Sequence, residues 1–313
     1  MSFRFVDFPS ARDDLRGDVL AGLAARPKSI PPKYFYDEAG CRLFEAICRQ
    51  PEYELCRTER ALMAAHLPAI AAAIGTVDCI VEPGAGDCGK VRLLLDALRP
   101  ARLVVLDIAG HALAAAAEPL ARDYPGLDVT ALGMDFIPML EAALPHLPPG
   151  RRLIYYPGSS IGNFSPDEAA VLLGRFHQLA GTGGQLLIGF DLKKDPELLH
   201  RAYNDAAGMT AAFNLNLLER LNCELAADFD PARFRHYAFY NPVAGRIEMH
   251  LVSLAEQTVS VAGKRFHFTL GETLHTENSY KFRCEEFSEI ARSAGWRLKD
   301  EWAQGGFAVQ LYA

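Results

Sequence analysis

Several classes of protein are excluded by what this sequence lacks. No apolar run approaches the roughly 18 residues that a membrane-spanning helix needs. The start, MSFRFVDFPSARDD, is charged early and has no apolar stretch, so no secretory signal is expected. The seven cysteines (Cys41, Cys48, Cys56, Cys79, Cys88, Cys223 and Cys284) are an odd number and form no C-x-x-C pair. That fits reduced thiols in a cytoplasmic protein better than a disulfide framework. The nine histidines show neither H-E-x-x-H nor His/Cys zinc spacing, so no metal is expected, and only a site assembled from distant residues stays open. Basic residues are in deficit: 32 Lys+Arg against 39 Asp+Glu give a net charge of −7. Nucleic acid and anionic membrane are therefore poor partners, because phosphate binding needs basic surface. Repeats and low-complexity tracts are also missing.

What is present is ordinary globular composition. The chain has 313 residues, 50% hydrophobic and 23% charged, enough for one large domain or two modest ones. The first ~60 residues, rich in Arg, Pro and aromatics, read as mostly helical and looped. From about Val77 a βα rhythm begins. VDCIVEP, ARLVVLDI, LDVTALGMDF, RRLIYYPG and GGQLLIGFDL read as strands, with helical spacing in KVRLLLDALR and HALAAAAEPLARDY. PDEAAVLLGRFHQLA opens as a helix, with Ser165 as N-cap and Pro166 in the first turn. Strands alternating with helices predict a parallel sheet covered on both faces. The rhythm breaks after about residue 193. An Asn- and Ala-rich helical stretch (196–222) precedes RIEMHLVSL, EQTVSV and KRFHFTL, read as an antiparallel meander with Ala262-Gly263 at a turn. EEFSEIARSAGW then reads as helix, and RLKDEWA with FAVQLYA as a closing strand pair. The expected organisation is an α/β core of 58–192 and 281–313, with a second α+β domain of 1–57 and 193–280.

The most informative local segment is Glu82-Pro-Gly84-Ala-Gly86-Asp-Cys-Gly89-Lys90-Val91, after the first core strand and before a helix. Glycines there let the chain turn sharply and let a ligand approach bare backbone. A tight turn with no ligand is the plain alternative. G-x-x-x-x-G-K-V resembles a phosphate loop, but Val91 has no oxygen for magnesium, which excludes that reading. G-x-G-x-x-G with Asp107 further on also matches a dinucleotide fingerprint. An S-adenosylmethionine site uses the same geometry without a pyrophosphate. Asp107 would then accept from the ribose hydroxyls, and Asp135 and Phe136 would serve the adenine. Glu82 is awkward beside a pyrophosphate and tolerable beside a sulfonium ligand bearing an amine. These points and the antiparallel last strand favour the methyl donor, while an NAD-dependent oxidoreductase stays open.

Further segments bear on the choice: Pro31-Pro-Lys-Tyr34-Phe-Tyr36-Asp37 with Gly40 and Leu43-Phe44; Pro51-Glu-Tyr53; Pro157-Gly158-Ser-Ser-Ile-Gly162-Asn163-Phe164; AYNDAAGMTAAFNLNLL around Tyr203; Arg246-Ile-Glu-Met249-His250; and His275-Thr-Glu277-Asn-Ser279-Tyr280-Lys281. Together they resemble the histidine-specific Nα-methyltransferases of ergothioneine biosynthesis, from about residue 28 to 313. The resemblance implies a class I (Rossmann-like) methyltransferase sheet with a second domain built from the N-terminal region and a late insertion. It implies trimethylation of the L-histidine α-amine to hercynine, through mono- and dimethyl intermediates. S-adenosyl-L-methionine would be the donor, S-adenosyl-L-homocysteine its product, and no metal would be needed. The enzyme is expected to be a cytoplasmic monomer. Carried over by position, the donor pocket would be Tyr53, Gly84, Lys90, Asp107, Asp135 and Phe136. The substrate pocket would be Tyr36, Gly158, Asn163, Tyr203, Met249, Glu277 and Ser279, with Tyr36 and Asn163 closest to the chemistry. The loop EPGAGDCGK departs from the family's Ser/Thr-rich form, so donor contacts carry over to Gly84 and Lys90 but not to residues 85–89.

In that arrangement Asn163 and the Tyr203 hydroxyl would donate to the substrate carboxylate. Glu277 and Ser279, two residues apart on an extended segment, would share a face and meet the two polar ends of an imidazole. Met249 would be an adaptable apolar wall. Tyr36 would bond the amine and later face the alkylammonium. Taken singly, each of these residues reads more simply as core, turn or surface. A relative acting on another amino acid, and a binding protein without turnover, remain the alternatives.

Overall fold

The computed structural model describes residues 2–8 and 15–313. They fall into two compact units. The first holds residues 2–8, 55–193 and 282–313, and the second holds 15–54 and 194–281.

The first unit is built on one eight-stranded sheet. Its order is Ser2–Asp7, Asp128–Gly133, Arg102–Asp107, Cys79–Pro83, Arg152–Tyr156, Gln185–Asp191, Phe307–Tyr312, Leu298–Gln304. The first six are parallel, Phe307–Tyr312 runs antiparallel to both of its neighbours, and Leu298–Gln304 runs in the direction of the first six. Every residue of Cys79–Pro83, Gln185–Asp191 and Phe307–Tyr312 is buried. That is why these strands read as continuous apolar runs rather than alternating ones. The order and the single reversed strand are those of the class I methyltransferase sheet. All five predicted core strands, and the closing pair, lie where the sequence put them. The helix Pro166–Ala180 begins with a capping box: Ser165 Oγ accepts from the Glu168 N–H at 3.3 Å, and Glu168 Oε2 accepts from the Ser165 N–H at 2.8 Å.

One strand was not foreseen. Ser2–Asp7 pairs in register with Asp128–Gly133 at the sheet edge, so these residues belong to the core sheet, not with the second domain expected over 1–57. Residues 1 and 9–14 of that segment lie outside the described residues. As an edge strand it is half-exposed and carries Arg4 and Asp7, so its apolar signal is weak.

The second unit has a four-stranded sheet in the order Lys28–Ser29, Thr273–Tyr280, Arg246–Ser253, Phe234–Asn241, with helices Leu15–Ala24, Glu38–Cys48, Pro196–Ala202 and Met209–Leu225. The expected three-strand meander is corrected here. Gln257–Val261 and Lys264–Phe268 form a separate hairpin, turning through Ala262 and Gly263 at φ +49° and +79°. Arg246–Ser253 pairs instead with two longer partners, which take both of its edges.

The asparagines of Met209–Leu225 account for that helix's composition. Asn214 is fully buried; its Nδ2 donates to the His250 carbonyl at 3.0 Å and its Oδ1 accepts from Thr276 Oγ1 at 2.8 Å. Asn216 Nδ2 donates to Asp37 Oδ1 at 2.9 Å, and Asn222 exchanges two bonds with the Phe229 backbone. Each amide ties the helix to a different neighbouring segment.

Candidate active site

In the first unit the donor-side residues converge around the glycine loop. The Gly84 and Ala85 N–H groups donate to the Leu106 carbonyl at 2.7 and 3.1 Å, folding the loop back over the strand Arg102–Asp107. Gly84 has φ +68°, and a Cβ there would stand 3.8 Å from Phe136 and 3.9 Å from Tyr156. Asp107 closes its strand and accepts from the Gly86 N–H at 3.0 Å and the Ala109 N–H at 2.9 Å. Burial holds its carboxyl above the ordinary aspartate value, and those two N–H groups pull the other way. Asp135 caps the short helix Phe136–Met139, with Oδ1 accepting from the Ile137 N–H at 3.2 Å.

Lys90 leads to a residue the sequence reading missed. Its Nζ lies 2.8 Å from Glu59 Oε2, and Glu59 Oε1 accepts from the Gly158 N–H at 2.7 Å. Burial draws the Lys90 ammonium down, but the charge and hydrogen bond of Glu59 outweigh it and hold it above its ordinary value. Gly158, at φ +79°, has a backbone conformation that favours glycine, and a Cβ there would stand 2.6 Å from Lys90 Nζ and displace it. Glu59 is 3% exposed on the helix Leu55–Ile74. The resemblance put Gly158 with the substrate; the structure sets it against Lys90. Asn163, half-buried at the end of the turn 160–163, also lies in this unit.

Glu82 tests which ligand the loop suits. Its side chain is buried, its Oε2 has no hydrogen-bond partner, and burial raises its carboxyl well above the ordinary glutamate value, with Lys90 opposing. An orphaned carboxyl beneath a glycine cradle suits a ligand that brings positive charge and N–H donors. S-adenosylmethionine, with its sulfonium and free amine, fits that requirement; a pyrophosphate does not.

The second unit contains a pocket of its own. Tyr36, Phe44, Ile47 and Tyr53 line it from one stretch of chain, and Tyr203, Thr210, Phe213, Met249 and Glu277 from the other. Tyr36 meets Phe44 and Phe213 edge-on, both with ring centroids 5.8 Å away. Tyr53, expected with the donor residues, meets Tyr203 edge-on at 5.9 Å and lines this pocket. Met249 is buried opposite Glu277 in the register of the two strands.

A β-bulge sets what Glu277 faces. His275 pairs with His250 and Glu277 with Met249, so Thr276 is the extra residue. The bulge turns His275 and Glu277, two residues apart, to opposite faces. Glu277 and Ser279 then share the side of Met249 and Ile247, as the spacing predicts. Burial pushes the Glu277 carboxyl up to about 7, against the pull of Lys281. The Tyr203 hydroxyl, expected on a substrate carboxylate, donates to Ser279 Oγ at 2.8 Å.

On the other face, Glu248, His250 and His275 hold three ligand-type atoms within 4.8 Å of one another, the one such cluster among the described residues. Glu248 is already committed. Arg246 lies 2.8 Å from its Oε1, Asn241 donates to that oxygen at 3.0 Å, and His250 Nε2 stands 3.2 Å from Oε2. A guanidinium at bonding distance makes this a neutralised hydrogen-bond network, unfavourable to a second cation.

Comparison with known proteins bears on the family. Over residues 15–313 the chain matches the family model described as histidine-specific methyltransferase, SAM-dependent. It is 43% identical to the histidine N-alpha-methyltransferase of Mycolicibacterium smegmatis, covering 96% of this chain and 95% of that one. It is 40% identical to the enzyme of the same name from Mycobacterium tuberculosis, over 96% and 94% of the two chains. At 29% identity, 92% of it matches a third of the longer ergothioneine biosynthesis protein 1 of Neurospora crassa. No helix among the described residues is long and apolar enough to cross a membrane. A class I sheet, a glycine loop suited to a sulfonium ligand and a full-length match place the chain in the family of S-adenosylmethionine-dependent histidine-specific methyltransferases.

Proposed function

We propose that this enzyme transfers three methyl groups in turn to the α-amine of L-histidine, giving hercynine for ergothioneine biosynthesis. The observation that carries the acceptor reading is Glu277, which lines a pocket otherwise mostly apolar and aromatic, with Ser279 on the same strand face. Imidazole has an N–H and a lone pair at separate ends, and an acceptor and a hydroxyl suit them. S-adenosylmethionine supplies a methyl on a positively charged sulfur, so the leaving group needs neither acid nor metal.

The chain's residues then bind and orient. Gly84, Lys90, Asp107, Asp135 and Phe136 hold the donor. Asn163 donates to the substrate carboxylate. Tyr36 bonds the amine, which must be neutral to attack, and its ring favours the cationic product. Positioning of the amine in line with the sulfur carries most of the rate. The ring contact of Tyr53 with Tyr203 supports placing Tyr53 with the acceptor residues. We take the enzyme to be a cytoplasmic monomer with no nucleic-acid or membrane partner, in keeping with its acidic charge and its odd number of cysteines without a C-x-x-C pair. The test is a methyltransferase assay across the twenty amino acids, with mass detection of products at +14, +28 and +42. Histidine should give all three masses; preference for another amino acid overturns the acceptor assignment.

A further inference from the structure

Asn214 and His236 join two walls of the acceptor pocket through bonds whose directions are set by backbone carbonyls. Asn214 Nδ2 stands 3.0 Å from the His250 carbonyl oxygen and 2.9 Å from His236 Nδ1. His236 Nε2 stands 2.9 Å from the Tyr203 carbonyl oxygen. A carbonyl oxygen can only accept. The His250 carbonyl therefore turns the Asn214 amide N–H groups toward itself and the ring, so His236 Nδ1 must accept. The Tyr203 carbonyl requires the ring proton on Nε2. Only the neutral Nε2–H tautomer satisfies both. At its other end the chain of bonds reaches the bulge: Asn214 Oδ1 accepts from Thr276 Oγ1 at 2.8 Å, and Thr276 is the extra residue beside Glu277. Tyr203 and Glu277 both line the pocket.

A second ring proton has no place in this network. On Nδ1 it would meet the Asn214 N–H. Turning the amide to accept it would set Oδ1 against the His250 carbonyl oxygen. The charges around the ring are few. Asp205, just before the helix Met209–Leu225, acts on it, and that helix brings Asn214. Leu251 lies opposite on the neighbouring strand, and Glu277 stands beyond that strand, across Met249 from Ala238. His200, on the helix Pro196–Ala202, accepts from the Tyr240 N–H further along. Burial holds the His236 ring below the ordinary histidine value, with the Tyr203 carbonyl and Asp205 pulling the other way.

We propose that His236 is a positioning residue of the acceptor pocket: as the neutral Nε2–H tautomer it ties the Tyr203 backbone to Asn214 and the Thr276 bulge, and a second proton on its ring breaks that tie and weakens amino-acid binding. The inference rests on the reading of this pocket as the acceptor site and adds an acid limit to it. Proton and substrate compete, so affinity is full above the ring's pKa and falls as pH drops through it.

The experiment compares the calorimetric Kd for L-histidine, with S-adenosylhomocysteine saturating, in wild type and His236→Gln at pH 8 and pH 5. Glutamine keeps an N–H for the Tyr203 carbonyl and an oxygen for Asn214 but takes up no proton. Both proteins meet the same ligand, so its own ionisation cancels in the ratio of the two constants. Between the two pH values wild type should lose at least ~3-fold more affinity than His236→Gln. A histidine that only packs would leave that ratio flat with pH. On wild type alone, nitrogen NMR of the His236 ring should show the Nε2–H tautomer, with a pKa that falls when L-histidine is added; this measurement decides if His236→Gln does not fold. A flat ratio, a neutral ring protonated on Nδ1, or a ring pKa unmoved by L-histidine overturns this inference alone when wild type methylates histidine. A wild type that neither binds nor methylates L-histidine overturns the acceptor reading and this inference with it.

Discussion

Asp107 has two tasks at once. It holds the glycine loop through the Gly86 N–H and keeps further lone pairs for a ligand's hydroxyls. Asp107→Ala should weaken S-adenosylhomocysteine binding by about 1.5–3 kcal/mol per ribose bond lost, read by calorimetry on folded protein. Unchanged affinity would remove Asp107 from the donor site. Glu59 is the companion case. It joins Lys90 to the Gly158 backbone, and Glu59→Gln keeps the acceptor for Gly158 while removing the charge beside Lys90. With Glu59 buried and Lys90 half-exposed, the loss should be about 1–3 kcal/mol, between exposed and buried pairs. It should appear as a lower melting temperature and a raised KM for the donor; a variant equal to wild type in both would leave Glu59 without a role at the loop. Asp107 was legible because its motif is local, a strand end at fixed spacing from three glycines. Glu59 was not, because its bond to Gly158 spans 99 residues and no short pattern announces it.

Among the elements, the strand Thr273–Tyr280 decides most about the acceptor pocket, and its bulge is held by one hydroxyl. Thr276 Oγ1 donates to buried Asn214 Oδ1 at 2.8 Å and lies 3.1 Å from the Met249 carbonyl. Thr276→Val preserves the shape but strands the Asn214 oxygen, a cost of about 1–3 kcal/mol. The expected result is a lower melting temperature with a higher KM for histidine and unchanged donor affinity, and Thr276→Ser should restore both. A variant that lowers donor and acceptor affinity alike would show that the bulge does not act on the pocket. The shared face of Glu277 and Ser279 was legible from their spacing of two. The bulge was not, because nothing in H-T-E-N-S fixes which residue is extra until Asn214 is brought against it. The same limit explains the misread meander. Three short apolar runs in succession state that strands exist, and Ala262-Gly263 states a turn, but the partners of Arg246–Ser253 are set by Phe234–Asn241 and Thr273–Tyr280.

For the whole molecule, the parallel core could be read because buried strands and capped helices leave local marks, and the second unit was harder because half-buried antiparallel strands leave weaker ones. Titration couples both units to stability. Asp205, Glu248, Glu272 and Glu286 are held below their ordinary values despite burial, because hydrogen bonds outweigh it, so their contribution is present above pH ~4.5 and is lost in acid. His236, His250 and His275 are lowered chiefly by burial; their contribution is present above pH ~6.5 and is lost as they charge below it. Glu277 acts in the opposite sense. Its carboxyl is raised from 4.5 to about 7, so the folded chain keeps a proton that the unfolded chain releases. Its contribution is full below pH ~4.5 and is lost as pH rises through about 7. Glu277→Gln should therefore match wild type in melting temperature at pH 5 and exceed it at pH 8. The Glu277 side chain is partly exposed, which reduces the full shift to about 1–2 kcal/mol, or roughly 2–5 °C. Saturating L-histidine should narrow the pH 8 gap by stabilising wild type alone, because a ring N–H then meets the carboxylate. Thermal melts of both proteins at the two pH values, with and without histidine, read this directly. Equal melting temperatures at pH 8, or equal stabilisation of both proteins by histidine, would show that Glu277 is neither strained in the empty pocket nor relieved by the substrate.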